Sequence, residues 1–181
     1  DGRVPCFLRY RRAGGRLIKL DTAAAQDWLM AHAPRYRYDS ERLATTLHGV
    51  RPMDIACHHR PRARVASLMR QGPRGTIETR ALQVLTMLVE GGLAASRVGL
   101  TGSLLIGAQH AASDIDFVFY QREAFHRARA IVGEAIAGGR LAELDPDAWR
   151  AAYARRGCEL GFDEYLWHER RKCNKGLCQG V

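Results

Sequence analysis

The chain has 181 residues, a formal net charge of +9, 46% hydrophobic residues and 26% charged residues. This length and balance suit one domain, or one domain with a smaller appendage, with enough apolar matter for a core. No run of 18 apolar residues occurs, which excludes a membrane-spanning helix, and the opening "DGRVPCFLRYRR" lacks the apolar run of a signal peptide.

From the first residues onward, "VPCFLRY" and "RLIKL" flank "RRAGG" and read as a hairpin with Gly14 and Gly15 in the turn. "DTAAAQDWLMAHA" reads as a helix capped by Asp21 or Thr22, with Pro34 just beyond it. "DSERLATTLHG" reads as a second short helix closed by Gly49, and "RPMDIACHHRPRARVASLMRQGPRG" as loop, helix and a Gly-Pro break. The break places a division at residues 74/75, giving a hairpin-plus-helices region over 1–74 and a second domain over 75–181.

"TIETRALQVLTMLVEGG" repeats Ile77, Ala81, Leu85 and Leu88 at helical spacing and predicts a buried helix ended by Gly91 and Gly92. "RVGLT" reads as a short strand, "GSLLIGA" as a short helix and "SDIDFVFY" as the strongest strand in the chain. "QREAFHRARAIVGEAIAGG" predicts an amphipathic helix with Ala124, Ala128, Ile131, Val132 and Ala135 inward. "RLAEL" reads as another strand, and "DPDAWRAAYARRG" and "GFDEYLWHERRKCNKG" as helices or helix plus loop. Together these define an α/β (α+β) class: a small mixed sheet flanked by helices, with a smaller N-terminal α/β appendage.

The basic residues are almost all arginine; the lysines are Lys19, Lys172 and Lys175. Such charge raises affinity for polyanions, including a nucleoside triphosphate or RNA. Cys6, Cys57, Cys158, Cys173 and Cys178 form an odd set with no framework spacing, as expected of reduced thiols in a cytoplasmic protein. Cys57 lies beside His58 and His59, but no paired CxxC or HxxxH completes a zinc site, and these histidines read as surface residues. Trp28, Trp149 and Trp167 fit apolar helix faces better than base-stacking positions. The chain begins at Asp1 rather than Met and stops at "LCQGV", as a chain trimmed at both ends would.

The chemistry concentrates in "VGLTGSLLIGAQHAASDIDFVFY", residues 98–120. Side chains alternate along a strand, so Asp114 and Asp116 share one face while Ile115, Phe117 and Phe119 face the core. Two carboxylates about 7 Å apart on one strand repel, and a divalent cation relieves that repulsion. Mg²⁺ or Mn²⁺ suits hard oxygen ligands supplemented by substrate phosphates. Gly102 has no Cβ, so a phosphate can approach its backbone, and the helix that follows begins with unpaired N–H groups. Ser103 adds a hydroxyl donor. A triphosphate resting on the turn would lie beside the acids.

A hydrophobic strand, Gly-Ser, a spacer of about ten residues and Asp-hydrophobic-Asp on a second strand resemble the polymerase-β-type nucleotidyltransferase superfamily, and small prokaryotic nucleotidyltransferase-domain proteins in particular. The resemblance covers about 23 residues; the tail "ERRKCNKGLCQGV" also resembles a basic Lys-x-Asn-(Lys/Arg)-Gly segment in some of those proteins. The resemblance implies an enzyme that moves a nucleoside monophosphate from a nucleoside triphosphate to an acceptor hydroxyl and releases pyrophosphate. The acceptor stays open: an RNA end, a protein side chain or a small molecule. Asp114 and Asp116 would bind one metal ion, with a second on the triphosphate. Gly102 and Ser103 would grip the triphosphate, and Lys172 and Lys175, with Asn174 between them, would clamp phosphate or an acidic acceptor. The superfamily usually adds a third carboxylate on a later strand; Asp145 is the first candidate and Glu143 the second, although Asp145 precedes Pro146 and can equally cap the next helix. Without a third acid, the alternative is a non-catalytic nucleotide- or RNA-binding module on the same fold.

Overall fold

The computed structural model describes residues 2–178 and divides into two compact units, Asp1–His58 and His59–Val181. The first contains β1 (Val4–Cys6), β2 (Tyr10–Ala13), β3 (Arg16–Lys19), α1 (Thr22–His32), β4 (Arg37–Ser40) and β5 (Thr45–Val50). β2 and β3 form the expected hairpin, with Tyr10 opposite Lys19 and Ala13 opposite Arg16, and both turn glycines at positive φ. α1 is capped as expected: the Asp21 carboxylate accepts the Ala24 N–H at 2.8 Å.

The segment "DSERLATTLHG" departs from the expected helix. It forms the β4–β5 hairpin, and β5 also pairs antiparallel with β1 to give the order β1-β5-β4. Ser40 Oγ accepts the Leu43 N–H at 3.3 Å, which closes one 3-10 turn, and Ala44 turns left-handed at φ 47°. Thr45 and Thr46 then favour the strand through their branched Cβ, and Thr46 Oγ1 donates across it to Asp39 at 2.6 Å. Gly49 does not end a helix; the Tyr38 ring lies where its Cβ would stand. On the same strand His48 is buried, and its Nδ1 accepts the Leu8 N–H at 3.0 Å. Burial, aided by Arg37, holds its pKa below the ordinary histidine value.

The second unit runs α2 (Pro61–Gln71), α3 (Thr76–Glu90), β6 (Val98–Leu100), α4 (Gly102–Ile106), β7 (Phe117–Phe119), α5 (Arg122–Ala137), α6 (Pro146–Arg156) and α7 (Phe162–Arg170). The division precedes α2 rather than falling at residues 74/75. The physical reason is packing: Val65 and Leu68 of α2 enter the same core as Ile77, Ala81, Leu85 and Leu88 of α3. The expected inward face of α5 also joins it, through Ala124, Ala128, Ile131 and Ala135.

The architecture is the expected mixed α+β class. Its strands nevertheless pair antiparallel throughout the described residues, and the second unit's sheet is the two-stranded β6–β7 ladder, with Leu100 opposite Phe117. "RLAEL" supplies only the isolated bridge Ala142–Leu177 rather than a strand. Of the tryptophans, Trp149 is buried, whereas Trp167 is 56% exposed beneath the Arg171 guanidinium, off the apolar face expected for it. No helix among the described residues is long and apolar enough to cross a membrane.

β6 is buried along its length, and α2 lies directly on it. Gly99 permits that approach: a Cβ there would stand 2.6 Å from Pro61 Cβ and 2.8 Å from Val118 Cγ1. Gly99→Ala should therefore lower stability by about 1–3 kcal/mol, the usual cost of overpacking. Gly161, with φ −62° and nothing within 4 Å of its virtual Cβ, is the comparison; Gly161→Ala should cost only the cap preference, about 1 kcal/mol or less. Urea denaturation of both variants measures the difference.

Candidate functional site

β6 ends at Leu100, and the ladder continues for one more bond: the Thr101 N–H donates to Asp116 O at 2.9 Å. The chain then enters α4 through Gly102 at φ +63°. This left-handed backbone suits glycine, and a second constraint coincides with it. A Cβ on Gly102 would run into the Asp116 carboxylate, with Asp116 Cγ at 3.4 Å and Cβ at 3.5 Å. The Gly-Ser turn and the second acid are thus in direct contact, as the motif spacing implied.

Asp114 and Asp116 occupy the extended lead-in to β7 rather than the strand itself. The expected alternation holds: both acids are exposed, while Ile115, Phe117 and Phe119 pack against the core. The return loop is fixed at buried Ser113, whose Oγ accepts the His110 N–H at 2.9 Å. Ser103 is half-buried, and its carbonyl accepts from Ala108 at 2.9 Å, which closes the short helix.

The remaining candidates lie elsewhere. Asp145 caps α6: its carboxylate accepts the Ala148 N–H at 2.7 Å. Glu143 pairs with Arg170. Among the described residues no three His, Cys, Asp or Glu side chains gather so as to hold a metal ion. Asp145 thus takes the capping use that the Asp-Pro step allowed, at a helix start where a carboxylate satisfies backbone N–H groups. Lys172 and Lys175 both bind the carboxylate of Glu169, which is only 9% exposed. Burial pushes the Glu169 pKa up, and the bonds from the two ammonium groups outweigh it, leaving the pKa below the usual carboxylate value. Arg129 of α5 donates to the carbonyls of Arg171 and Lys172, so the tail is tied down at its backbone too. Lys175, Asn174, Trp149 and Glu169 line a cleft of about 310 Å³ that none of Gly102, Ser103, Asp114 and Asp116 lines.

A brace behind α4 escaped the sequence reading. Arg64 of α2 donates from Nε to Leu104 O at 2.8 Å and through a terminal nitrogen to Glu78. Glu78, at 5% exposure, also accepts the Arg74 N–H at 2.8 Å and Gln109 Nε2 at 3.2 Å. One buried carboxylate thereby joins α2, α3, and, through Leu104, the Gly-Ser helix. In sequence Glu78 resembles any acid placed in a helix's first turn for the dipole, so nothing there signals its role.

The chain is 27% identical over 155 residues to the uncharacterized protein MJ1086 of Methanocaldococcus jannaschii. The match covers 78% of the chain and 46% of that protein, so the chain spans about half the length of the curated relative it matches. No protein-family model matches the chain, and no solved structure matches it significantly.

The brace makes a pH prediction. Burial raises the Glu78 pKa, but the Arg74 N–H and the Arg64 guanidinium outweigh it and hold the carboxyl below its usual value. A folded pKa below the unfolded value, about 4.3, means that the stabilisation is complete above that pH and is lost as pH falls through the folded pKa. The urea midpoint should therefore drop as pH is lowered from about 5 to about 3. Glu78→Gln should lower the midpoint at neutral pH and flatten the acid decline, only in part because Glu169 behaves alike.

Proposed function

We propose that the surface formed by Gly102, Ser103, Asp114 and Asp116 is a nucleotidyl-transfer site, moving a nucleoside monophosphate from a nucleoside triphosphate to an acceptor hydroxyl. The observation that carries this reading is the contact between Gly102 and the Asp116 carboxylate, which makes a phosphate-accepting turn and an acidic strand entrance neighbours. The bare Cα of Gly102 leaves room for the Asp116 carboxylate beside the turn, and the Ser103 hydroxyl can donate to a phosphate oxygen there. The acceptor oxygen forms a bond to the α-phosphorus while the bond from that phosphorus to the pyrophosphate oxygen breaks. The acceptor's proton passes to a carboxylate or to water.

The donor set fits Mg²⁺ or Mn²⁺: Asp114 and Asp116 offer hard oxygens from the exposed side of one extended segment, and two carboxylates with phosphate oxygens and waters are a common Mg²⁺ shell. When bound, the ion supplies charge neutralisation on the phosphates and favours the ionised acceptor oxygen. An RNA end, a protein side chain and a small molecule remain the acceptor classes. A second reading, a non-catalytic nucleotide-binding module, is favoured by one observation: Asp145 is engaged as a helix cap and leaves a pair of acids rather than a trio.

Incubation with each labelled nucleoside triphosphate, Mg²⁺ or Mn²⁺, and candidate RNAs or cell lysate separates the readings. Transfer of label supports the enzyme; metal-dependent binding without transfer supports the module; neither binding nor transfer ends both. Asp116→Ala should lower transfer at least about a hundredfold with an unchanged far-UV dichroism spectrum. Wild-type turnover in that variant would reject the proposal. Gly102→Val should cut affinity for a non-hydrolysable triphosphate with Mg²⁺, read by calorimetry, because the branched side chain displaces the Asp116 carboxylate from beside the turn.

A further inference from the structure

Residues 2–20 contain no Asp or Glu, yet hold Arg3, Arg9, Arg11, Arg12, Arg16 and Lys19. Five of these six lie on the β2–β3 ribbon or at its base, where the Leu20 N–H donates to Arg9 O at 2.9 Å and extends the ladder by one pair. Arg9, Arg12, Arg16 and Lys19 are exposed and Arg11 is half-buried. None of the five side chains has an ion-pair or hydrogen-bond partner among the described residues. The nearest acid in sequence after them, Asp21, is engaged as the α1 cap.

Strand alternation and the observed register assign the cations to faces. Arg12 and Lys19 share one with Tyr10 and Leu17; Arg9, Arg11 and Arg16 share the other with Ala13 and Ile18. A hairpin that only covers a core is apolar on one face and polar on the other. This ribbon carries cations on both, and β2 and β3 form a sheet of their own with no third strand among the described residues. A two-stranded ribbon charged on both faces matches a partner that presents anions on two sides at once. The grooved phosphate surface of a nucleic acid does so, and a duplex major groove is wide enough to admit such a ribbon. The guanidinium forks of four of the five residues suit phosphate oxygens.

We propose that the β2–β3 ribbon is a nucleic-acid contact, with Arg9, Arg11, Arg12, Arg16 and Lys19 meeting the sugar-phosphate backbone. The ribbon belongs wholly to the first unit, and the inference stands apart from the nucleotidyl-transfer reading. It is therefore tested in EDTA with no triphosphate present.

The full chain is titrated by fluorescence anisotropy against a labelled 20-base-pair DNA duplex and a labelled 20-nucleotide single-stranded RNA over a salt series. The quadruple variant Arg9→Gln, Arg12→Gln, Arg16→Gln, Lys19→Gln is compared with a charge-matched control, Arg60→Gln, Arg70→Gln, Arg155→Gln, Arg156→Gln, which removes four exposed cations elsewhere. The ribbon variant should bind at least about tenfold more weakly at low salt. Its slope of log affinity against log salt should fall by about 0.9 for each lost duplex contact, or about 0.7 for each single-strand contact. The control should keep close to the parent slope. The arm that shows the loss identifies duplex DNA or single-stranded RNA as the source of the backbone. An unchanged slope in the ribbon variant, an equal loss in the control, or displacement of the nucleic acid by polyglutamate at equal charge concentration would overturn the proposal.

Discussion

A carboxylate occupies the space where residue 102 would carry its Cβ, and that contact follows from how β6 and β7 are paired in the second unit. Asp116 can lean over Gly102 because the β6–β7 register sets Leu100 opposite Phe117 and extends to the bond from Thr101 to Asp116. A one-residue slip would turn both acids inward and Ile115 outward, exchanging apolar burial for two buried charges. The apolar pattern of residues 115, 117 and 119 therefore does more than fill the core. It fixes which side the acids take, and the left-handed turn at Gly102 brings the helix start to that side.

α4 spans only Gly102–Ile106, too short to hold its own position by helix propagation. Its location comes from outside: Leu104 is buried in the core, and Arg64 grips the Leu104 carbonyl while bound to Glu78. A planar guanidinium serves here because it makes two directed bonds at once, which an ammonium would not reproduce in the same geometry. The half-buried pair contributes position more than net stability, since its desolvation cost offsets much of the attraction. The polar cleft of about 380 Å³ lined by Arg64, Arg74, Glu78, Gly107 and Gln109 is the space around this brace.

The legible parts of the sequence were those governed by one local rule. α3 and α5 were readable because a 3.6-residue apolar repeat leaves no competing interpretation over fifteen or sixteen residues. The outward side of Asp114 and Asp116 was readable because strand alternation sets them opposite Ile115, Phe117 and Phe119. Residues 39–49 misled because Ser40 and Gly49 carry helix-cap chemistry in a segment whose outcome is decided by pairing with β1, a partner more than thirty residues away. Asp145 had two uses, and the Pro that follows it favoured the local one. Lys172 and Lys175 read as a clamp for an outside anion because their partner, Glu169, is an acid on a helix that sequence alone leaves exposed. The Arg64–Glu78 contact was illegible for the same reason: its bonds join residues that only the tertiary fold brings together.

The excess of arginine carries one meaning on the β2–β3 ribbon and another among the tied arginines of the second unit. In the second, many arginines act as ties within the chain. Arg64 binds Leu104 and Glu78, Arg127 donates to Gly91 O at the end of α3, Arg129 holds the tail carbonyls, Arg140 pairs with Glu90 and Arg170 with Glu143. A uniform compositional bias would be expected to recruit such partners wherever acids and carbonyls come within reach. On the β2–β3 ribbon it does not: the cations cluster where neither acid nor carbonyl receives them, and no acid interrupts the sequence around them. Like charges held this close cost free energy in the isolated unit, because each cation raises the potential felt by the next. Ties of the kind seen in the second unit would remove that cost, and substitution to neutral polar residues would remove it more simply. Retaining it suits a surface whose charges are neutralised from outside, and a polyanion neutralises several at once while releasing its own counterions.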